Sequence, residues 1–517
     1  MKANMNRTRV ITGATTAILG MALISLVSCS SGESTSGTVA PGGSAGLSGP
    51  MVFVNNTASK SLTSVALKGD SGNAVLGTID AAEFENVALG DMQFSEGNWL
   101  FLNLGAVNKV STIDPLTAAT PVHELNLTAG TRPVHIYRDP TDGEIMWVMN
   151  DGDNAPLTQT PGDDLINCNN PARVGGAVLG SSVTILHNSH LGPGATPPTV
   201  IKSECLLADG HKVAAFSQPT TTNPATPKLA FVSSSTAGEI AVVGNDPTNV
   251  ATYHKLITRI DLCDTIKEAT RPAPAVCDDE SATPLTTPFT INNSNPHGIR
   301  FSNLTGKIYS IQENYDTIVE IDPTTLAVTL LADLSATDYT AYGISPEGRF
   351  LLLRGSTVAP IATKFGVIDL GAPGNPLTNI STPEQNGTLP TGLSRGSFKF
   401  SPDGKRLYVL TGDDAAATKT DRLFAYDSSA LPTLTLLREI TLVGTGGHSF
   451  DVLAQGAGEA KYIAVSNSTD NSLSIINATD NLIKQTVTNV GSTAGSVLGG
   501  VLIYAPGTAS TGNQASS

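Results

Sequence analysis

The sequence predicts an all-β protein built as one β-propeller, with eight blades. Three observations support this fold: a recurring strand–turn–strand unit, no helical periodicity after the N-terminal signal, and two terminal segments that each supply part of a blade. Strands at a spacing of roughly 10 residues are typical of sandwiches, barrels and propellers. A four-strand period of about 40 to 50 residues favours the propeller.

A secretion signal is predicted at residues 1–28. Lys2, Arg7 and Arg9 precede the mostly apolar stretch 10–27, and small residues follow before Cys29. This order of charged, apolar and small residues distinguishes an export signal from a transmembrane helix, which needs about 20 apolar residues and no cleavage site. We therefore expect the mature chain to be exported.

The segment Leu26-Val-Ser-Cys29 resembles a bacterial lipobox, which implies that Cys29 carries the lipid of a lipoprotein. An acyl chain contributes about 0.8 kcal/mol per buried methylene, so several chains on one residue hold a protein firmly to a membrane. Ser30, rather than Asp, follows the cysteine, which in Gram-negative families implies the outer membrane, facing the periplasm or the cell surface. Residues 29–50 are expected to form the lipidated end and a flexible Ser/Gly linker.

The charge of the chain argues against nucleic acid as a partner. The formal charge is −15, and removal of residues 1–28 takes away three cations and leaves −18. Such a surface repels phosphate backbones and anionic lipid headgroups alike. We therefore expect the lipid on Cys29, and not charge, to hold the protein to its membrane.

One repeat unit defines the predicted blades: a short apolar strand, a Pro-Asp-Gly type turn, an alternating strand and a further strand ending near Asp. Proline presets the backbone angle of such a turn, and glycine takes the left-handed angle that lets two antiparallel strands meet. The clearest copy comprises Gly396–Gly404, Arg406–Leu410 and Arg422–Asp427. Two further copies include Pro296–Ser302 and Tyr342–Gly348.

The two ends of the domain are expected to share one blade. Segment 496–504 is apolar and has no strands after it, whereas the chain begins at 51–54 with outer strands and no inner strand. Joining them would close the ring and remove exposed sheet edges. This predicts a propeller over residues 51–506 and a disordered tail over 507–517. Seven blades is the alternative, because insertions between 155 and 296 blur the divisions. The other inner strands are expected to start near Val87, Val134, His211, His297, Tyr339, Ser394 and His448.

Four cysteines remain after the lipidated one, an even number in an exported chain, which predicts two disulfides. Of the three possible connectivities we favour Cys168 with Cys205 and Cys263 with Cys277, because each pair brackets one long insertion. A thiolate metal site is the alternative, but the spacings of such sites are absent from the sequence.

These repeats resemble the YVTN and YncE-like propeller family, whose units carry Pro-x-Gly, Ser-Pro-Asp-Gly and Leu-Tyr-Val patterns. The resemblance covers residues 51–506 and is fullest in the blade that starts near Ser394. The resemblance implies the β-propeller fold. Within this family and its relatives with lactonase or haem-binding activity, function varies widely, so it implies no single reaction.

Four histidines fall at or next to the start of a predicted inner strand: His135, His211, His297 and His448. Inner strands line the central channel, so imidazoles from several blades would converge around one axis, as copper or zinc requires. Their registers differ by one residue, however, and such a shift turns a strand side chain to the other face. The alternatives are isolated polar residues on a wet channel wall, or a catalytic base.

No catalytic motif emerges from the sequence. Gly392-Leu-Ser-Arg-Gly396 matches the pattern of serine hydrolases, but a strand follows it where that motif needs a helix. The sequence therefore predicts a membrane-anchored extracytoplasmic module that binds a small molecule or a protein. The alternative is a metal- or cofactor-binding redox protein, or a lactonase-like hydrolase, that uses the channel histidines.

Overall fold

Eight antiparallel four-stranded sheets stand in a ring and form the described part of the chain. The computed structural model describes residues 49–96, 99–115, 123–127, 130–152, 181–187, 198–206, 210–271, 277, 291–335, 339–355, 365–380, 394–412, 422–443, 449–491 and 498–505. The chain divides into two units, 1–42 and 43–517, and all of these residues belong to the second.

The chain enters the ring with three strands that belong to the last blade. They are β1 (Met51–Asn56), β2 (Ser61–Ala66) and β3 (Ala74–Ile79). Seven blades follow, and in each of them four consecutive strands pair in chain order from the inner strand outwards.

The strands of these seven blades are as follows. Blade 1 contains β4 (Met92–Phe94), β5 (Leu100–Leu104), β6 (Lys109–Ile113) and β7 (His123–Asn126). Blade 2 contains β8 (Pro133–Arg138), β9 (Ile145–Asn150), β10 (Ser182–His187) and β11 (Thr199–Cys205). Blade 3 contains β12 (Ala214–Ser217), β13 (Leu229–Ser234), β14 (Glu239–Gly244) and β15 (Leu256–Asp261). Blade 4 contains β16 (Pro296–Phe301), β17 (Ile308–Gln312), β18 (Thr317–Ile321) and β19 (Val328–Asp333). Blade 5 contains β20 (Tyr339–Ile344), β21 (Phe350–Gly355), β22 (Phe365–Asp369) and β23 (Leu377–Ile380). Blade 6 contains β24 (Ser394–Phe400), β25 (Arg406–Gly412), β26 (Arg422–Asp427) and β27 (Thr435–Thr441). Blade 7 contains β28 (Phe450–Gln455), β29 (Glu459–Asn467), β30 (Ser472–Asn477) and β31 (Leu482–Thr488).

Blade 8 closes the ring by joining the two ends of the domain. Its inner strand is β32 (Leu498–Tyr504), which pairs antiparallel with β1, so that Met51 lies opposite Tyr504 and Val52 opposite Ile503. The prediction of eight blades with a shared terminal blade is therefore confirmed. Because β1 pairs with β2 on one side and with β32 on the other, the seam leaves no open edge on β1, and β32 takes the inner position that β4 and β8 have in their own blades.

The hydrophobic core is divided among the interfaces between neighbouring blades. Each of eight buried clusters draws its residues from two adjacent sheets, and one of them joins blade 8 to blade 1 through Phe53, Leu502 and Phe94. The middle strands are consequently buried on both faces, as in β5, β9 and β14. Every blade therefore depends on both of its neighbours for burial.

The turns that link the inner strands to their partners have the predicted conformation. Gly348 and Gly404 adopt φ angles of 80° and 72°, the left-handed region that glycine enters without cost from a Cβ atom. The N–H of Gly404 donates to the carbonyl of Ser401 at 2.8 Å, and the N–H of Gly348 donates to Ser345 in the same way. The repeated Ser-Pro-x-Gly segments are thus structural.

Two of the predicted strand starts are displaced in the structure. The inner strand of blade 1 begins at Met92 and not near Val87, because a 3₁₀ helix at Ala81–Phe84 and left-handed angles at Glu85 and Asn86 occupy that segment. The inner strand of blade 3 begins at Ala214, so His211 precedes it.

Helical segments are short throughout the described residues. They are α1 (Thr265–Glu268) and 3₁₀ turns at Ala81–Phe84, Gly105–Val107 and Ser468–Asp470. No helix in the described ranges is long and apolar enough to cross a membrane.

Cys263 and Cys277, one of the two expected pairs, form a disulfide. The two cysteines are 14 positions apart in the sequence and follow β15. Cys205 is also disulfide-bonded, and its expected partner Cys168 lies outside the described residues.

Candidate functional site

Three of the four predicted channel histidines come together at one end of the ring. The Nε2 atoms of His135 and His211 are 3.0 Å apart, and the ring centroids of His211 and His297 are separated by 5.2 Å. The three residues belong to blades 2, 3 and 4, at or just before the start of each inner strand. We call them the histidine cluster. His448, the fourth candidate, lies outside the described residues.

Irregular pairing at the start of the inner strands overcomes the register difference seen in the sequence. In blade 2 the pairing skips Val134, between Pro133 and His135, and in blade 4 it skips His297 itself. Such a bulge places two residues opposite one and turns the side chains that follow it. His135 and His297 therefore reach the same cluster although they are offset by one position from the preceding proline.

A carboxylate stands beside the Nδ1 atom of each imidazole. Nδ1 of His211 is 2.6 Å from Asp151 Oδ2, and Nδ1 of His297 is 3.1 Å from Glu313 Oε1. Nδ1 of His135 is 3.4 Å from Asp91 Oδ2. These acids hold the rings in place from the side away from the close Nε2 pair.

Sequence reasoning did not connect these three acids with the histidines. Asp151 directly follows β9, Glu313 directly follows β17, and Asp91 immediately precedes β4. The sequence signal that could have revealed them is an acidic residue directly before the first strand of a blade or directly after its second strand. Its significance depends on which blade lies next to it, and this is a property of the assembled ring.

Asp151, the acid beside His211, is held in place by a backbone contact as well. Asp151 Oδ1 accepts the N–H of Lys212, while Oδ2 faces His211, so one carboxylate spans two consecutive residues of blade 3. The N–H of His211 donates to Ser235 Oγ at 3.0 Å. The position of His211 is therefore determined at its backbone and at its ring.

The arrangement determines what the two facing nitrogen atoms can do. A hydrogen on each Nδ1, directed at a carboxylate, leaves a lone pair on each Nε2. Two lone pairs 3.0 Å apart repel each other. A proton shared by the two atoms, or a cation bound by both, removes this repulsion.

The cluster is partly open to solvent, with side-chain exposures of 25% for His135, 30% for His211 and 31% for His297. Among the described residues, no group of three or more His, Cys, Asp or Glu side chains is arranged to hold a metal ion. The cluster therefore offers two converging nitrogen ligands, with solvent beside them.

Comparisons with known proteins bear on the fold. No protein-family model matches the chain, and no curated protein matches it. Among solved structures, the dihydro-heme d1 dehydrogenase NirN in complex with DHE is 14% identical, with a TM-score of 0.52 over 87% of this chain and 74% of that chain. Apo AztD from Citrobacter koseri is 12% identical, with a TM-score of 0.48 over 91% of this chain and 99% of that chain. The periplasmic gluconolactonase PpgL of Pseudomonas aeruginosa is 14% identical, with a TM-score of 0.45 over 87% and 98% of the two chains.

At these identities the likeness concerns the fold alone. The chain is a β-propeller protein whose ring carries a histidine cluster backed by carboxylates. Membership of the YVTN and YncE-like family stays a prediction.

Proposed function

We propose that this chain is an extracytoplasmic binding propeller that holds a divalent transition metal, Cu²⁺ or Zn²⁺, between Nε2 of His135 and Nε2 of His211. The observation that carries the proposal is the 3.0 Å separation of these two atoms, each on a ring whose Nδ1 faces a carboxylate. The sequence predicts a binding module, and the close pair of nitrogen atoms indicates that the bound ligand is a metal ion.

The distance between the two nitrogens suits one metal ion. With Zn–N bonds near 2.0–2.1 Å, two histidines on a tetrahedral zinc have their nitrogens roughly 3.3 Å apart. Adjacent nitrogens on a square-planar Cu²⁺ lie roughly 2.9 Å apart at similar bond lengths. The observed 3.0 Å falls between these two values.

The carboxylates supply the outer contacts that such a site needs. Metal-binding histidines characteristically donate the other ring N–H to a carboxylate, which fixes the tautomer and makes the ligating nitrogen more basic. Asp151 and Asp91 occupy this position for His211 and His135. The formal charge of −15 also raises the local concentration of cations near the ring.

Two protein nitrogens leave the remaining coordination positions to water or to a second ligand. Such a site exchanges its metal more readily than a closed four-ligand site does. A role in capturing or passing on metal therefore fits the geometry better than a permanent structural metal.

The test is metal titration of the full chain, purified in detergent and stripped with a chelator. We expect isothermal titration calorimetry with CuCl₂ or ZnCl₂ to show one saturable site per chain. His135→Gln and His211→Gln should each weaken binding at least tenfold. With Cu²⁺, the electron paramagnetic resonance spectrum should show coupling to two nitrogen nuclei.

His123→Gln is the matched control, because His123 lies on the outer strand β7 beside Trp99, away from the cluster. It should bind metal as the unsubstituted chain does. Absence of a stoichiometric site, or equal affinity in all three variants, would overturn the proposal.

We also propose that the lipid on Cys29 holds the propeller at the outer membrane. The sequence Leu26-Val-Ser-Cys29 and the Ser/Gly-rich residues after it support this location. Globomycin, which blocks the lipoprotein signal peptidase, should cause the uncleaved precursor to accumulate. Cys29→Ala should release the chain from the membrane fraction, and an unchanged membrane fraction would contradict the anchor.

A further inference from the structure

A second candidate site lies at the other end of the same inner strands. A cavity of about 350 Å³ is bounded by the last residues of several inner strands, including Arg138 of β8, Phe301 of β16 and Phe400 of β24. The histidine cluster lies in the first half of β8 and of β16 and just before β12. We call this space the strand-end cavity.

The charge of the strand-end cavity is opposite to that of the protein. Its lining contains three cationic side chains, those of Arg138, Arg300 and Lys399. None of the described residues that line it is Asp or Glu, although the chain has 45 acidic residues against 30 Lys and Arg. The cavity therefore concentrates positive charge on an acidic molecule.

Carboxylates lie near two of these cations without being part of the cavity lining. Lys399 Nζ is 3.0 Å from Asp451 Oδ1, and Asp451 Oδ2 accepts the N–H of Ile503 on β32, a contact between blades 7 and 8. Burial lowers the pKa of Arg138 and Glu96 opposes that effect, but a guanidinium remains charged at neutral pH.

Aromatic rings form much of the remaining wall. Phe216, Phe301, Phe398 and Phe400 line the cavity together with Tyr137. A Cβ atom on Gly343 would lie 2.6 Å from the ring of Phe398, so glycine at this position lets that ring lie against β20. Burial raises the pKa of Tyr137 and Arg300 opposes this, so its phenol is a neutral hydrogen-bond donor near a guanidinium.

We propose that the strand-end cavity binds a small organic anion, a carboxylate or sulfonate attached to an aromatic or other flat apolar body. Arginine presents several donors in a plane and pairs with such head groups in two-point contacts. The phenylalanine rings would cover the body of the ligand, as in ligand pockets that combine an apolar wall with a few polar groups. The inference does not rest on metal binding, since no residue of the histidine cluster lines this cavity.

The probe for this site is 8-anilinonaphthalene-1-sulfonate, with N-phenyl-1-naphthylamine as the uncharged molecule of the same skeleton. We expect the sulfonate to bind the folded full chain saturably at one site, and at least tenfold more tightly than the amine. Its affinity should also fall as NaCl is raised, because the attraction is electrostatic.

Substitutions locate the binding. Arg138→Gln and Arg300→Gln should each weaken sulfonate binding at least fivefold and leave binding of the amine unchanged. Phe216→Ala should weaken both probes. Arg438→Gln, on the exposed outer strand β27, is the matched control and should change neither.

Several outcomes would overturn the proposal: no saturable binding, equal affinity for the two probes, or Arg138→Gln and Arg300→Gln variants that bind the sulfonate like the control. The comparison of the two probes and the salt dependence use the unsubstituted chain. They therefore decide the matter even if a variant fails to fold. The metal titration is a separate measurement, so failure of one site leaves the other to be judged by its own result.

Discussion

His135 and His211 approach each other through Nε2 atoms 3.0 Å apart, although they belong to different blades. The acid beside each ring comes from the blade before it: Asp91 in blade 1 serves His135 in blade 2, and Asp151 in blade 2 serves His211 in blade 3. Three consecutive blades must therefore be correctly docked before the nitrogen pair has its geometry.

Neutralising Asp151 should weaken metal binding without unfolding the ring. In Asp151→Asn the amide oxygen can still accept a hydrogen bond, but the negative charge that strengthens His211 as a ligand is lost. Loss of such an outer contact typically lowers metal affinity by about 10- to 100-fold, and we expect a value near the lower end. Calorimetric titration with CuCl₂ measures it. Asp246→Asn, in an exposed turn, should retain full affinity, and equal affinities for the two variants would contradict the role given to Asp151.

His254 should make the stability of the fold dependent on pH. Burial, together with the nearby Lys202, lowers the pKa of His254 to about 4 from its ordinary 6.5. Its ring stacks on Tyr253, and its Nε2 has no hydrogen-bond partner in the described part of the chain. The unfolded chain therefore binds a proton here below pH 6.5, whereas the folded chain does not until about pH 4.

Stability is accordingly lost as the pH falls through this window, by about 2 kcal/mol at pH 5 from this residue. His254→Phe keeps an aromatic ring and should lose less stability than the unsubstituted chain between pH 7 and pH 5. Urea unfolding at each pH provides the measurement, and His123→Gln should keep the original slope. The same slope in His254→Phe would show that another group controls the window.

A charge placed in the closing strand should open the ring. Ile503 is 4% exposed and lies opposite Val52 in the β1–β32 pair, so Ile503→Asp buries a carboxylate between blades. We expect a loss of at least about 3 kcal/mol in the free energy of unfolding, since an unpaired buried charge is strongly destabilising. Leu437→Asp makes the same change at a site 42% exposed on β27 and should cost far less. Similar thermal midpoints for the two variants would contradict the importance of the seam.

The Cys263–Cys277 disulfide should stabilise the fold by restricting the conformations that the unfolded chain can adopt. A bridge that closes about 15 residues contributes roughly 3 kcal/mol in the chain-entropy description. The double variant Cys263→Ala and Cys277→Ala should therefore unfold at lower urea concentration without reductant. Unchanged unfolding would show that the loop beyond β15 is already ordered by other contacts.

The sequence predicted the features that depend on local patterns. The turn at Ser401–Gly404, the blade that starts near Ser394 and the shared terminal blade follow from glycine conformation, strand alternation and the need to remove sheet edges. The predicted start of β4 was wrong, because the residue types alone do not reveal the left-handed backbone angles at Glu85 and Asn86.

The site was predictable only in part, for a physical reason. Histidines at inner strand starts could be found in the sequence, and three of them meet. Bulged pairing at Val134 and His297 decides whether such side chains converge, and it depends on hydrogen bonds between strands. The carboxylates and the strand-end cavity arise from neighbouring blades, so no single repeat encodes them.

The seam between β1 and β32 has a consequence for how the protein is made. A ribosome releases β1 first, and its inner partner β32 emerges only after every other blade has been synthesised. Until then, the hydrogen-bonding groups along that side of β1 are available to any other extended chain. A copy that ends before β32 keeps this exposed side of β1 permanently, so truncation within the last strand should favour aggregation of the chain.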